Sequence, residues 1–180
     1  MPSELPAAPA ILCKPFLVEF ETLEDRLRAF GGDVRDAVDD LTPEPLPDYQ
    51  RLAQQQFLEC LDAMSWRHRS EAHVAARAMF DRLFWSWRGE DFQIVELDRV
   101  PFALDSAWSP PTVKLFGDLW RQLAPAFDDL REPFEVAASN GELVGRFEDF
   151  VGYARAWGEI LARGADEAQG LLVVQFDSPR

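Results

Sequence analysis

The pattern of apolar and polar positions centres the chain on His73–Gly89, HVAARAMFDRLFWSWRG. At a helical turn of roughly 100° per residue, Ala76, Phe80, Leu83, Phe84 and Trp87 form one apolar stripe. Val74, Ala78 and Trp85 fall on the opposite side, so the predicted helix has two apolar sides. Such a helix is either sandwiched inside the fold or shows an aromatic residue outward. Gly89 stands where a left-handed C-cap would end it.

Upstream, residues 1–10 read as a mobile Pro/Ala arm. Phe16–Phe20 has the aromatic and β-branched content of a short strand. Thr22, followed by Asp25, predicts a cap for a helix over Leu23–Phe30 that Gly31-Gly32 stops. Asp33–Leu41 predicts one more short acidic helix. Thr42–Pro47 has three prolines at alternate positions, which exclude a continuing helix and predict a stiff extended connector. Asp48 then caps a helix over Tyr49–Trp66, striped by Ala53, Phe57, Cys60, Leu61 and Met64.

Downstream, Asp91–Asp98 (DFQIVELD) predicts a second strand and Val100–Trp108 an irregular loop. Ser109-Pro110 is a helix start, a capping residue followed by proline at the first helical position. The helix over Pro110–Ala124 has the cleanest amphipathic pattern. Val113, Phe116, Leu119, Trp120 and Leu123 face one way; Lys114, Asp118 and Arg121 face the other. Pro125 should end or kink it. Phe127–Leu130 reads as a short helical piece, followed by a loop that Asn140-Gly141 closes.

A long helix follows over Arg146–Arg163, with Phe147, Phe150, Val151, Ala154, Trp157 and Leu161 on its apolar face. Gly158 on that face costs about 1 kcal/mol of helix propensity relative to alanine, which a close approach by another element would explain. Gly164 is the expected C-cap. Leu171–Phe176 (LLVVQF) is nearly all apolar, as suits a strand buried on both faces. The expected fold class is α+β: a single domain over 11–180, with five or six helices packed around a small sheet of about three strands. The terminal strand should pair with an earlier one.

Charge changes this picture more than composition does. The chain of 180 residues holds 32 acidic and 18 basic residues, a net charge of −14. Residues 1–50 carry −7 and residues 101–150 carry −5, while the middle is nearly balanced. A field of that sign repels phosphate backbones and anionic lipid surfaces, which points away from nucleic acid and membrane. It would steer a basic protein partner. With two cysteines but no CxxC pair, no basic segment ahead of an apolar run and no apolar stretch of about 20 residues, the expected location is the cytoplasm.

No stretch specifies a reaction. His68 and His73 are five positions apart, which rotates one roughly 140° from the other on a helix, so a shared metal site is not expected. No GxSxG elbow, phosphate loop or dinucleotide fingerprint occurs, so no cofactor or metal is expected. Asp39-Asp40 and Asp128-Asp129 read as solvated faces. Cys60, on a core stripe, reads as a small apolar residue.

Two kinds of residue suit binding instead. Trp85, on the side its stripe leaves unexplained, and Trp108 are interface candidates, with Arg88 as a polar anchor. Asp36, Asp39, Asp40 and Glu44 in the acidic early segment are candidate contact carboxylates. The order of elements adds a family likeness. An N-terminal strand and helix precede a helical middle, a Ser-Pro-Pro helix start, an aromatic helix (Phe147, Phe150, Trp157) and a closing Gly170–Val174 strand. This layout resembles the YfbM-like group of uncharacterised bacterial proteins, which implies a single α+β domain and supplies no catalytic residues.

The expected function is that of an acidic cytoplasmic binding protein, an immunity-type inhibitor that neutralises a basic toxin domain by stoichiometric association. The alternative is a small-molecule-binding protein or enzyme with a pocket lined by Trp85 and Trp108. A homodimer through the aromatic helix face is a third reading.

Overall fold

The computed structural model describes residues 11–29, 34–46, 73–74, 77–79, 106–141 and 146–177. Within them, three strands form one antiparallel sheet in the order β1-β3-β2: β1 is Ile11–Val18, β2 is Ser106–Trp108 and β3 is Gly170–Asp177. Strand β3 lies in the centre. It pairs with β1 from Ile11↔Asp177 to Val18↔Gly170, and with β2 from Ser106↔Val173 to Trp108↔Leu171.

The apolar run of β3 is explained by this position. Side chains alternate along a strand, and those of β3 are buried on both sides. Leu171 and Val173 enter one core; Leu172 and Val174 enter the other. The smaller core is closed by α1 (Phe20–Ala29) and α2 (Val34–Ala37), through Leu23, Ala37 and Val38. The larger core lies under α3 (Pro110–Leu123), a 3-10 segment over Ala124–Leu130, α4 (Arg131–Ser139) and α5 (Phe147–Asp166). The chain is therefore α+β, with helical layers on both faces of the sheet.

Helices α3 and α5 make the closest helix–helix contact. Val113, Phe116, Trp120 and Leu123 of the predicted stripe are buried, while Leu119 is half-buried. Phe150, Ala154, Trp157 and Leu161 of α5 lie opposite them, each completely enclosed. Glycine permits the approach from both sides. A Cβ on Gly117 would stand 2.8 Å from both Ala165 Cβ and the Leu161 carbonyl oxygen, and one on Gly158 would overlap the Trp120 indole. The close approach expected at Gly158 is thus a tryptophan ring lying on the bare backbone. From Trp120 an aromatic chain runs outward through Phe127, Phe150, Phe134 and Phe147, with successive ring centroids 5.3–6.3 Å apart. These spacings suit offset and edge-on ring packing.

Several elements differ from their predicted form, each for a physical reason. Strand β1 covers Ile11–Val18 rather than Phe16–Phe20, because pairing extends it along the whole of β3. Phe20 instead opens α1, and the Thr22 hydroxyl bonds the Glu19 carboxylate at 3.3 Å from inside the first turn rather than capping the helix. The acidic helix predicted over Asp33–Leu41 shortens to α2, after which Leu41 N–H closes a turn onto Val38 O at 2.9 Å.

Ser106–Trp108, expected within a loop, is strand β2. Three residues carry no readable period, so only the edge of β3 decides their state. The loop expected after Leu130 is α4. Pro133 is its third residue, where no amide needs an intrahelical acceptor, and Phe134 and Ala137 are buried beyond it. Pro125 does end α3, whereas Asn140 and Gly141 (φ 75°), expected to close a loop, end a helix instead.

Gly164 is not the C-cap of α5. It lies within the helix, where a Cβ would meet Leu17 Cδ2 at 2.7 Å and Val113 Cγ1 at 3.0 Å. The left-handed residue is Ala168 (φ 54°), and Gln169 N–H closes the end onto Gly164 O at 2.9 Å. This is the six-residue bond of a Schellman-type ending without its usual glycine.

The predicted helices over Tyr49–Trp66 and His73–Gly89 and the strand over Asp91–Asp98 lie outside the described residues, apart from 73–74 and 77–79. Those five are helical: His73 and Met79 are buried, whereas Val74 and Ala78 are exposed. Residues 1–10 also lie outside.

Two substitutions test the packing. Gly158→Ala should lower stability by about 1–3 kcal/mol, the range for an overpacked core, read as a lower urea midpoint. Ala168→Gly should raise stability by about 1 kcal/mol, because it removes the left-handed Cβ penalty. A thermal melt a few degrees higher would register it.

Candidate functional site

The acidic segment singled out in the sequence folds into an open depression of about 480 Å³ beside the smaller core, lined by Arg26, Asp36, Asp39 and Asp40. Its floor follows from local chemistry. α1 buries Leu23 against Ala37 and Val38. That contact brings the end of α2 under the side chain of Arg26, one helical turn further along α1. α2 is only four residues long, so its last carbonyls have no helical partner.

Arg26 supplies what this short helix lacks. Its Nη1 donates to the Ala37 carbonyl oxygen at 3.2 Å and also to Asp40 Oδ1, while Nη2 donates to Asp40 Oδ2 at 2.9 Å. The two-pronged contact with one carboxylate is the strong geometry for guanidinium. It holds the Asp40 carboxyl below the usual carboxylate range and pushes the Arg26 guanidinium up. Asp36 and Asp39 are exposed on either side of this clamp. The result is an acidic rim on a fixed backbone.

Glu44 stands apart from the rim. It lies in the extended connector, with its side chain only 19% exposed, and it accepts from Arg163 of α5. It fixes the connector rather than extending the acidic face. Trp108 also departs from its expected role. It is a core residue of β2, 4% exposed, with its ring edge-on to Phe116 at 5.2 Å. Its place opposite Leu171 in the β2–β3 pair carries the indole under α3, among core residues. Trp85 and Arg88 lie outside the described residues.

Arg26 and Arg163 are the site residues that sequence reasoning missed. Arg26 lies 14 positions from Asp40 and Arg163 lies 119 positions from Glu44, so no periodicity links either pair.

Chemically, the rim offers hydrogen-bond acceptors and negative charge. Asp40 is tuned away from general-acid work, which needs a carboxyl raised toward neutral pH. Among the described residues, no group of three His, Cys, Asp or Glu side chains is placed to hold a metal ion. No described helix is long and apolar enough to cross a membrane.

Elsewhere, basic side chains are engaged locally. Arg121 bridges Asp118 and Asp166 at 3.0 and 2.6 Å; Lys114 joins Asp118 at 2.8 Å. Arg131 reaches Glu148 at 2.9 Å and lies over the Phe147 ring, and Arg155 reaches Asp128 at 3.4 Å. Comparison with family models, with curated proteins and with solved structures gives no match to the chain. The reading of this face therefore rests on its geometry.

The ion pairs set the direction of acid sensitivity. Arg26 beside Asp40, Lys114 and Arg121 beside Asp118, Arg131 beside Glu148 and Arg146 beside Asp149 all hold carboxyls below their ordinary values of 3.8 for Asp and 4.5 for Glu. A depressed folded-state value stabilises the fold above the ordinary value, and the contribution disappears as pH falls through the depressed one. The urea midpoint should therefore stay level above about pH 5 and fall progressively below about pH 4. A midpoint that rose on acidification would contradict these pairings.

Proposed function

We propose that the protein is a cytoplasmic binding protein that acts by stoichiometric association with a basic partner, as an immunity-type inhibitor acts on a bacterial toxin domain. The observation that carries the reading is the Arg26-clamped rim, where Asp36 and Asp39 flank a carboxylate already fixed by its guanidinium. A rim held on short, clamped backbone loses little conformational freedom on binding, which favours affinity. The net charge of −14 adds long-range attraction for a cationic surface and speeds encounter.

Asp36 and Asp39 are the contact carboxylates in this reading, and Asp40 with Arg26 positions them. Lysine and arginine side chains of the partner would supply the complementary charge. The aromatic-pocket alternative receives no support from Trp108, whose ring is enclosed by core residues.

The chain, used as bait in lysate of its native cytoplasm at low salt, should retain a basic protein that elutes as salt is raised. Screening explains the elution, since the Debye length shrinks from about 10 Å at 0.1 M to about 3 Å at 1 M. Asp36→Asn with Asp39→Asn should weaken affinity for the purified partner about tenfold or more, mainly through slower association. Stability read from urea unfolding should stay within about 0.5 kcal/mol, as for exposed substitutions away from packing. Recovery of the chain alone at low salt would overturn the reading.

A further inference from the structure

Among the described residues no strand pairs with the outer edge of β1, and such edges readily pair with another chain unless something covers them. In an antiparallel pair, alternate residues turn their amide and carbonyl groups toward the partner strand, and the residues between turn theirs away. The Pro15 carbonyl points away from β3, since it accepts the Glu44 N–H at 2.7 Å. Ile11, Cys13, Pro15 and Leu17 therefore form the outward set, and Leu12, Lys14, Phe16 and Val18 bond β3. Pro15 has no amide hydrogen, so its place in the outward set costs no bond to β3 and removes one donor from the free edge.

The segment Thr42–Leu46 crosses this edge. Leu41, just before it, packs against the core under α1 and α2; Leu46, at its end, packs against the core under α3 and α5. Between them Glu44 holds the segment twice, by its backbone amide on Pro15 and by its carboxylate on Arg163. Among the described residues, the Glu44 amide makes the only backbone hydrogen bond to the outward set of β1.

We propose that Thr42–Pro45 is a clasp over the outer edge of the sheet, anchored at its ends by Leu41 and Leu46 and latched by the Arg163–Glu44 ion pair, which opens locally while the sheet and both cores stay folded. The latch is suited to this. The Arg163 side chain is 48% exposed against 19% for Glu44, so water and salt reach the cation while the carboxylate is sheltered. Removing the cation leaves the carboxylate half-sheltered with no partner, and the connector gains by swinging it into water. Pro43 and Pro45 flank Glu44 and keep the segment extended, so it moves as a stiff unit.

Amide hydrogen exchange on the full chain tests the clasp residue by residue. Arg163→Gln should speed exchange of the Glu44 amide about threefold to tenfold, the amides of Phe16 and Leu172 keeping their rates. In the unsubstituted protein, raising salt from 50 mM to 1 M should shift exchange in the same direction. That second arm does not depend on a variant folding. An unchanged Glu44 rate in both arms would overturn the proposal. So would an equal rise at Phe16 and Leu172, which would make the pair a support of the whole fold and not a latch.

Discussion

The contact on which the structure depends is the seam between α3 and α5, where Gly117 lets the helices approach closely and Gly158 makes room for an indole. The Trp120 indole lies on the backbone at Gly158, and Gly117 lies against Leu161 and Ala165. A glycine inside a helix is unfavourable by itself. Two of them are tolerated because the tight seam lets a full indole be buried, and large aromatic burial outweighs about 1 kcal/mol of propensity per glycine. The seam also fixes where the other elements go. Trp120 starts the aromatic chain that seats the 3-10 segment and α4, and Gly164, at the far end of α5, admits Leu17 of β1 and Val113 of α3.

From that seam the sheet gains its second layer. Over Leu171–Val173, β3 is bonded on both edges and buried on both faces, which fixes its register. β1 then presents Phe16 and Val18 to the other side, and α1 with α2 close over them. The acidic rim belongs to this second layer. Its position derives from burial of Leu23, Ala37 and Val38, and its shape derives from Arg26, a single part-buried cation that serves both a helix end and a carboxylate. Apolar burial places the segment. One guanidinium orients its charge.

Acids outnumber bases both along α3–α5 and around α2. Along α3–α5, basic side chains are matched by acids three or four positions away or on the facing helix, as in Lys114–Asp118 and Arg121–Asp166. In the segment around α2, Asp36 and Asp39 remain exposed beside a carboxylate already clamped. The exposed carboxylates beside that clamp give the proposed binding face its character.

Long amphipathic helices were legible in the residues alone. The spacing of Val113, Phe116, Trp120 and Leu123, the Ser109-Pro110 start, the Pro125 stop and the aromatic face of α5 are local signals set by helix geometry and backbone sterics. So was the two-sided burial of β3, because four consecutive apolar residues leave no polar face. The acidic residues of the rim could be named from composition. What the tertiary structure decided is everything that depends on a partner distant in sequence. Ser106–Trp108 is a strand only because β3 offers an edge, and Trp108 is core because that pairing puts it under α3. Gly164 continues a helix because Leu17 and Val113 need its missing side chain, which left the left-handed turn to Ala168. Arg26 and Arg163 became the fixing points of the acidic segment through contacts that close long loops, and local periodicity carries no trace of such contacts.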